Sequence, residues 1–333
     1  MPYRRIHFLL LAAWFCSSAA SPAGELLRLP SVVPLEDPFP GRLVSHPGSA
    51  ANVPLAPGKS GPPKNPDLPP DARPGMFQKL IFSGAYLAGG GVDGLGMSDL
   101  ELKTILAFPV PSRSYPLIFT PGFAVHYLDG PTSPDVPARL YDAYAQFRWM
   151  YRISPKLGID VGITPGVFSD FQQSSDEAIR IPGHAVAMWT CRPSLKFVLG
   201  ATYLDREDVA ALPVVGLIWT PHDDVEFELI FPRPRIARRI YCFGAYTEEL
   251  QHWIYLAGEL GGGTWAVART NGENDVLNYR DYRVFLGIQR KAIGRLDWRL
   301  EAGYVFGRKI EYLSDTPDFE PTDTVMVRAC MVY

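Results

Sequence analysis

This sequence contains few cysteines and histidines, and its net charge is small. Its four cysteines form no CxxC pair and no zinc-type spacing, and its six histidines include no HExxH. A GxSxG elbow and a phosphate-binding loop are also missing. A net charge of −3 provides no basic field to attract nucleic acid. The sequence therefore predicts no metal, no cofactor, no nucleic-acid partner and no enzyme active site.

Long apolar runs are missing too. Beyond residue 23 no stretch approaches the roughly 20 apolar residues that a membrane-spanning helix needs, which excludes a helical membrane protein. Residues 1–23 combine Arg4 and Arg5, a short apolar core at 8–15, small residues and the A-x-A-like triplet Ser21-Pro22-Ala23. This order predicts a cleaved signal peptide, because the core is too short for the alternative, a membrane anchor.

Proline, by contrast, is abundant, with 32 residues in the chain. Many lie in residues 24–75, which are also rich in Gly and Ser and almost free of aromatic side chains. Because proline cannot donate to a β-ladder or continue a helix, we expect a disordered linker here. The alternative is a segment that docks on the cell wall or on a periplasmic protein.

Residues 76–333 show a different pattern, in which segments of about ten residues alternate apolar and polar side chains. Gly, Pro, Asp and Asn separate them. We count about fourteen candidate strands, which start near Phe77, Ser98, Leu117, Arg139, Lys156, Gly183, Ser194, Leu212, Val225, Arg238, His252, Arg280, Arg295 and Asp323. The fold predicted is all-β, a transmembrane antiparallel up-and-down barrel of about 12–14 strands.

Three features favour a membrane barrel over a soluble sandwich. Several segments reach the roughly nine to eleven residues that a tilted strand needs to cross a bilayer. Short turns alternate with longer polar loops, as periplasmic turns alternate with external loops in outer-membrane barrels. An aromatic girdle is predicted at the periplasmic ends of the strands, on the apolar parity, formed by Trp149, Trp189, Trp219 and Trp298. The chain also ends in an alternating segment closed by Tyr333, which resembles the signal that barrel assembly machinery recognises.

Charged residues share the polar parity of these segments, and we expect them inside the barrel because charges that face lipid are costly. They are Glu101, Lys103, Arg148, Arg152, Asp160, Glu226, Glu228, Glu259, Arg283, Arg295, Asp297, Arg299 and Glu301. The leading hypothesis is a hydrated pore in the cell outer membrane for passive or weakly selective passage of small polar solutes. The alternative is a non-conducting structural or interaction barrel whose lumen is a salt-bridge network.

Two interior residues give a sharper expectation. If the turn between their strands has three residues, Arg283 lies directly opposite Glu301, close enough for an ion pair.

His126 also points inward by parity, and Asp142 or Asp160 would approach it. A lipid-modifying enzyme is the third hypothesis, for which no Ser-His-Asn set can be assigned.

Finally, the motifs WTPHDD at 219–224, FPRPR at 231–235 and WIYLAGE at 253–259 resemble a bacterial family of predicted outer-membrane β-barrels of unknown function. The resemblance covers residues 77–333. It implies the barrel fold and the outer membrane, and it implies no activity or functional residue.

Overall fold

A computed structural model describes residues 73, 75–90, 93–112, 115–131, 133–172, 176–206, 209–244, 250–292, 296–314 and 316–333. The predicted signal peptide, residues 1–23, and the predicted linker, residues 24–75 apart from Arg73 and Gly75, lie outside these ranges. Within them, no helix combines the length and the apolar character needed to cross a membrane.

The described residues form sixteen strands and a single 3-10 turn, Asp176–Ala178. The strands are β1 Phe77–Leu87, β2 Gly96–Pro111, β3 Pro116–Asp129, β4 Arg139–Ser154, β5 Leu157–Ile163, β6 Gly166–Ser169, β7 Ile179–Arg180, β8 Gly183–Arg192, β9 Leu195–Tyr203, β10 Ala211–His222, β11 Val225–Phe231, β12 Arg235–Phe243, β13 Leu250–Ala268, β14 Asn274–Ala292, β15 Asp297–Tyr312 and β16 Thr324–Val332.

These strands form one sheet that closes on itself. Successive strands pair antiparallel, β1 pairs with β16, and the pairing of β12 with β13 completes the ring. Strand β4 pairs with both β5 and β6, while β6 pairs with β7 and β5 with β8. The segments β5 and β6 are therefore two halves of one broken strand, as are β7 and β8. The ring thus has fourteen places, and the predicted up-and-down β-barrel is confirmed.

The two faces of the wall differ in the way the alternation predicts. Strand β16 is buried and exposed at strictly alternating positions. On it Val325 is 58% exposed on the outer face, whereas Arg328 is 3% exposed on the inner face. Because every second side chain points inward, the exposed apolar set forms a belt around the barrel and the polar set lines the lumen.

The two ends of the barrel also differ. Short turns at 155–156, 193–194 and 223–224 lie at one end, called here the short-turn end. Longer connections lie at the opposite end, called here the loop end, and these include residues 130–138, 170–178 and 313–323. The wall is uneven, because β11 has 7 residues and β12 has 9, whereas β13 and β14 have 19 each.

Adjacent residues of β15 test the assignment of the two faces. Leu300 is exposed and Arg299 is buried. With the native cysteines replaced by serine, a nitroxide on Leu300→Cys should be broadened by a lipid-soluble relaxing agent, and one on Arg299→Cys should not. Trp149, Val161 and Tyr304 should behave like Leu300, and Arg148, Asp160 and Glu301 like Arg299. Equal accessibility of the two sets would contradict the barrel.

Candidate functional site: a filled lumen closed by a hairpin

The hairpin of β13 and β14 leaves the lipid-facing wall at its loop end. From Trp253 to Ala257 the side chains of β13 alternate between buried and exposed, but residues 259–267 are buried without exception. On β14, residues 275–279 are also all buried, whereas alternation resumes at Arg283. A strand in a barrel wall buries one face, so burial of both faces shows that this segment, residues 259–279, has turned into the lumen. We call it the closing hairpin.

Glycine makes the turn possible. Gly261, Gly262 and Gly263 occupy consecutive positions of β13, and Gly262 has φ of +107°, a conformation that other residues rarely adopt. A Cβ atom on Gly262 would lie 2.0 Å from the Tyr279 carbonyl oxygen of the paired strand. Glycine inside a strand often marks such a bend or close approach. The neighbouring strand bends as well, since the β14–β15 register shifts beside Gly307, whose φ is +60°.

The closing hairpin spans the full width of the barrel. Strands β4 and β13 are seven places apart in the ring of fourteen, so a contact between them crosses the lumen. The Trp265 indole Nε1 of β13 donates a hydrogen bond of 2.6 Å to the Asp142 carboxylate of β4. Beside it, Ala266 pairs parallel with Ser169 of β6. The hairpin tip is thus bonded to the opposite wall.

A buried histidine organises this contact. His126 of β3 is fully buried, with Nδ1 2.8 Å from Asp99 and Nε2 3.1 Å from Asp142. Its ring also lies edge-on to Trp265, with centroids 5.3 Å apart. The histidine thus links Asp99 of β2 to Asp142 of β4 through its two ring nitrogens. The predicted approach of Asp142 to His126 is present, whereas Asp160 contacts Arg148 and His184 instead.

The other face of the closing hairpin is covered by the loop between β9 and β10. Arg206 donates to the Tyr279 carbonyl oxygen at 3.1 Å, and Leu204 packs against Leu260. Loops are normally solvated, but Leu204 and Arg206 are both buried here. One face of the closing hairpin therefore contacts side chains of the lumen, and the other is covered by an inward-turned loop.

Three loops are linked outside the hairpin tip. Asp135 pairs with Arg269 and accepts a 2.8 Å hydrogen bond from the Thr270 amide, while Asp275 binds Arg269 at 2.9 Å and the Ser314 hydroxyl at 2.6 Å. Burial alone would raise the pKa of Asp135. Hydrogen bonds from Thr270 and Arg269 outweigh it and hold that pKa at about 2, below its ordinary 3.8.

Below the hairpin the lumen contains a network of buried charges. Arg328 of β16 donates to Glu259 at 2.6 Å and also to Glu301. Glu259 accepts a second hydrogen bond, of 2.5 Å, from Arg233, and Glu301 accepts one from the Tyr255 hydroxyl. Each carboxylate is thus compensated by at least one guanidinium, which a buried charge requires.

Two further clusters continue this lining. Glu101 lies 2.9 Å from Lys103 and accepts hydrogen bonds from Ser83 and from Tyr144, the latter at 2.6 Å. On the neighbouring wall Arg148 forms a bidentate pair with Asp160, to which His184 adds a contact of 3.3 Å. Arg–carboxylate pairs of this geometry fix both side chains.

The described charges that were predicted for the interior lie on the inner face, and most of them are buried. Glu101, Lys103, Arg148, Glu259, Arg283, Arg299 and Glu301 are buried, and Arg152, Asp160, Glu226, Glu228 and Asp297 are half-buried. Arg295 lies outside the described residues. Asp297 accepts a 2.6 Å hydrogen bond from the Ala292 amide and so caps a turn. A pore-lining role remains a prediction for these residues.

The direct opposition of Arg283 and Glu301 is wrong. Both lie on the inner face, but Arg283 pairs with Val305, and Glu301 pairs with Gly287. The error has a physical origin, because Arg290 pairs with Trp298, so the connection is longer than the assumed three-residue turn. Arg283 instead bonds Asp281 at 2.8 Å and lies 3.5 Å from Glu259.

The predicted girdle tryptophans all lie near the short-turn end. Trp189 and Trp219 are exposed, whereas Trp149 and Trp298 are half-buried. Three of them stack on an aromatic neighbour: Trp149 on Tyr151, Trp189 on Phe197 and Trp219 on Phe227. Trp253, whose face was not evident from the sequence, points into the lumen and is buried.

Several residues central to the site were missed. Arg328 alternates with Val327 and Ala329, so the same parity rule would have placed it inside. The run Gly261–Gly263 was an available sign of a bend. Nothing in the local sequence indicates that Trp265 would meet Asp142, because the partners are 123 positions apart.

In this arrangement the charged groups of the lumen compensate one another. Within the described ranges no group of three or more His, Cys, Asp or Glu side chains has the geometry to hold a metal ion. The lumen histidines His126 and His184 bond to carboxylates. These contacts hold the inner wall and the closing hairpin together.

Comparisons with known proteins give a family and remote structural likenesses. The model of the family described as "Domain of unknown function (DUF6268)" matches residues 131–317. No curated protein matches the sequence. LpxR from Salmonella typhimurium has 10% identity and a TM-score of 0.35, with 77% of this chain and 99% of that chain covered. OccD3 (OpdP) of Pseudomonas aeruginosa has 8% identity and a TM-score of 0.32, with 79% and 93% covered. Neither likeness assigns a substrate to this chain.

The buried network generates a stability prediction. Arg328→Met removes the guanidinium that Glu259 and Glu301 share and should lower the free energy of unfolding by about 3–5 kcal/mol. Urea titration of the purified chain in lipid vesicles measures this. The control is Lys309→Met, which breaks a partly exposed pair with Glu311 and Asp318 and should cost at most about 1 kcal/mol. Equal small losses in both variants would show that the network is not a buried one.

The loop contacts generate a pH prediction. Because folding lowers the pKa of Asp135, its contribution to stability is complete above about pH 4 and is lost as pH falls through about 2. Amide exchange of residues 269–272 should therefore accelerate between these values in pulse-labelling mass spectrometry. Asp135→Asn should show the faster exchange already at neutral pH. The same acceleration in both proteins at low pH would assign it to another group.

Proposed function

The chain belongs to the DUF6268 family, whose model covers more than half of its 333 residues, and we propose that it is an outer-membrane β-barrel with a closed, non-conducting resting state. The observation that supports closure is the two-sided burial of the closing hairpin and its bond to the far wall through Trp265 and Asp142. A hydrated pore would leave part of the inner face exposed, but no described inward residue of β16 is.

Membrane insertion is supported by the outer face. Leu286 is 66% exposed, Leu199 68% and Val327 57%, in contrast to the polar residues beside them. A soluble protein rarely exposes an apolar belt of this extent, whereas a barrel covers it with lipid. The alternating connection lengths orient the short-turn end toward the periplasm.

In this proposal the function belongs to the surfaces and not to the lumen. A rigid closed barrel anchors whatever precedes it at the periplasmic end, where β1 begins, and presents its loops outside. Its partners would be outer-membrane lipid, the barrel assembly machinery during insertion, and the cell wall or a periplasmic protein reached through residues 24–75. No catalytic role is proposed.

Passage of small polar solutes is the second candidate. It is favoured by the polar lining around Glu101 and Arg148 and by the glycine bend at residues 261–263, which would serve as a hinge. On this view the closing hairpin swings out of the lumen to open a path. Since several buried apolar side chains would become exposed, each costing about 1.5–3 kcal/mol, opening requires a partner or stimulus.

Conductance in a planar bilayer tests the closed resting state and the role of the closing hairpin as its barrier. The natural chain should insert and show no steady current, because the hairpin fills the lumen. Removing residues 264–277 and joining the ends with glycine should give stable open events. The control removes residues 317 and 318, which are exposed positions of the loop between β15 and β16, and should stay silent.

Each outcome decides one point. A steady current through the natural chain contradicts the closed resting state. A silent barrel after hairpin removal, with insertion verified by heat-modifiable migration, contradicts the hairpin as the barrier and with it the gated-passage candidate.

A further inference from the structure

The outer face of β12–β16 carries a continuous row near the short-turn end. Tyr241 pairs with His252, His252 with Arg290, Arg290 with Trp298, and Trp298 with Met331. Directly paired residues of adjacent strands share a face of the sheet. The face is the lipid-facing one, because Ile254, Ile288 and Leu300, which lie two residues from members of the row and so share its face, are all exposed. Two basic side chains, His252 and Arg290, therefore lie between two aromatic ones, Tyr241 and Trp298, along a line at one membrane interface.

Arg238 lies one step above this row and is the more unusual residue. It is exposed on the lipid-facing side of β12, between Ile236 and Ile240, and its pairing partners are Val225 and Ile254. Within the described residues no carboxylate pairs with it and no hydrogen bond involves its side chain. The inner neighbour Arg239 instead lies over the Trp253 ring. An unpaired guanidinium surrounded by isoleucine needs an anion supplied from outside the chain.

The spacing of Arg238 and Arg290 suits one anionic group. They are separated by two strand positions across the sheet and by two residues along it, so their Cα atoms lie about 12 Å apart. Each side chain can extend about half of that distance toward the other. The Arg290 Nη1 is held 3.0 Å from the Leu296 carbonyl oxygen, which leaves its remaining donors available for an anion. Guanidinium groups bind phosphate through paired N–H donors.

The aromatic members of the row place the ligand at headgroup depth. Trp298 flanks Arg290 on one side, and on the other the Tyr241 ring lies tilted beside His252, with ring centroids 5.3 Å apart. Tyr and Trp prefer the lipid–water interface, where phosphate groups lie. The short-turn end is the periplasmic one in the proposed orientation, and the leaflet there is made of glycerophospholipids.

We propose that Arg238, His252 and Arg290 form a binding site for the phosphate of an anionic glycerophospholipid in the periplasmic leaflet. The proposal rests on the membrane insertion proposed above. It assigns the recognition to the lipid-facing surface of β12–β14, outside the lumen and independent of whether the lumen opens.

Native mass spectrometry of the full chain in detergent tests this site. Added phosphatidylglycerol should be retained over phosphatidylcholine of the same acyl chains by roughly tenfold, a difference equivalent to ~1.4 kcal/mol. The double variant Arg238→Gln/Arg290→Gln should lower this preference to about equal retention. Arg139→Gln is the matched control, because Arg139 is also exposed but lies at the loop end, over the Tyr127 ring.

The outcomes separate the site from the membrane proposal. Failure of the natural chain to insert into vesicles and to migrate as a heat-modifiable barrel would overturn membrane insertion. With insertion intact, equal retention of both lipids, or an unchanged preference in the double variant, would overturn the site. Displacement of phosphatidylglycerol by inorganic phosphate at a similar concentration would identify a free-anion site and overturn the lipid assignment.

Discussion

The hydrogen bond from Trp265 to Asp142 is the contact on which the position of the closing hairpin depends. It joins strands on opposite sides of the ring, and the same carboxylate also receives His126. Because the bond forms only when the closing hairpin lies across the lumen, it couples the bend at Gly262 to the state of the barrel. Without it, the buried Asp142 would retain His126 alone, and the hairpin tip would lose its polar anchor.

A filled lumen is consistent with the size of the ring. Barrels of about eight strands are packed by their own side chains, and those of sixteen or more leave a channel unless something enters it. Fourteen strands fall between these limits, so ordinary side chains do not reach across. The structure fills the space with a strand pair and with long side chains such as Arg328, which contacts Glu259 from three places away in the ring.

Alternation along the chain predicted the strands and their faces well, because the period of two is a local property that each segment carries in its own residues. Thirteen of the ring strands, taking β8 for the broken β7–β8 strand, start within three residues of a predicted start, whereas β14 begins at Asn274, six residues before the predicted Arg280. The strand register was harder to predict from the sequence. Because the turn is a few residues longer than assumed, Arg283 pairs with Val305 and not with Glu301, although it stays on the predicted face. Contacts across the lumen could not be predicted, because nothing in the sequence around Trp265 indicates that Asp142 is its partner. The filled lumen therefore followed from the structure and not from the pattern.

Three arginines of this barrel differ in how the charge of each is compensated by its surroundings. Arg328 is buried among carboxylates, so its charge is matched within the chain. Arg269 lies among external loops and binds Asp135 and Asp275. Arg238 has exposed isoleucines beside it and no acidic partner among the described residues. The first two arginines stabilise the closed fold by internal pairing. The third can be satisfied only by a group outside the chain, and its position in the apolar belt makes the membrane the nearest source.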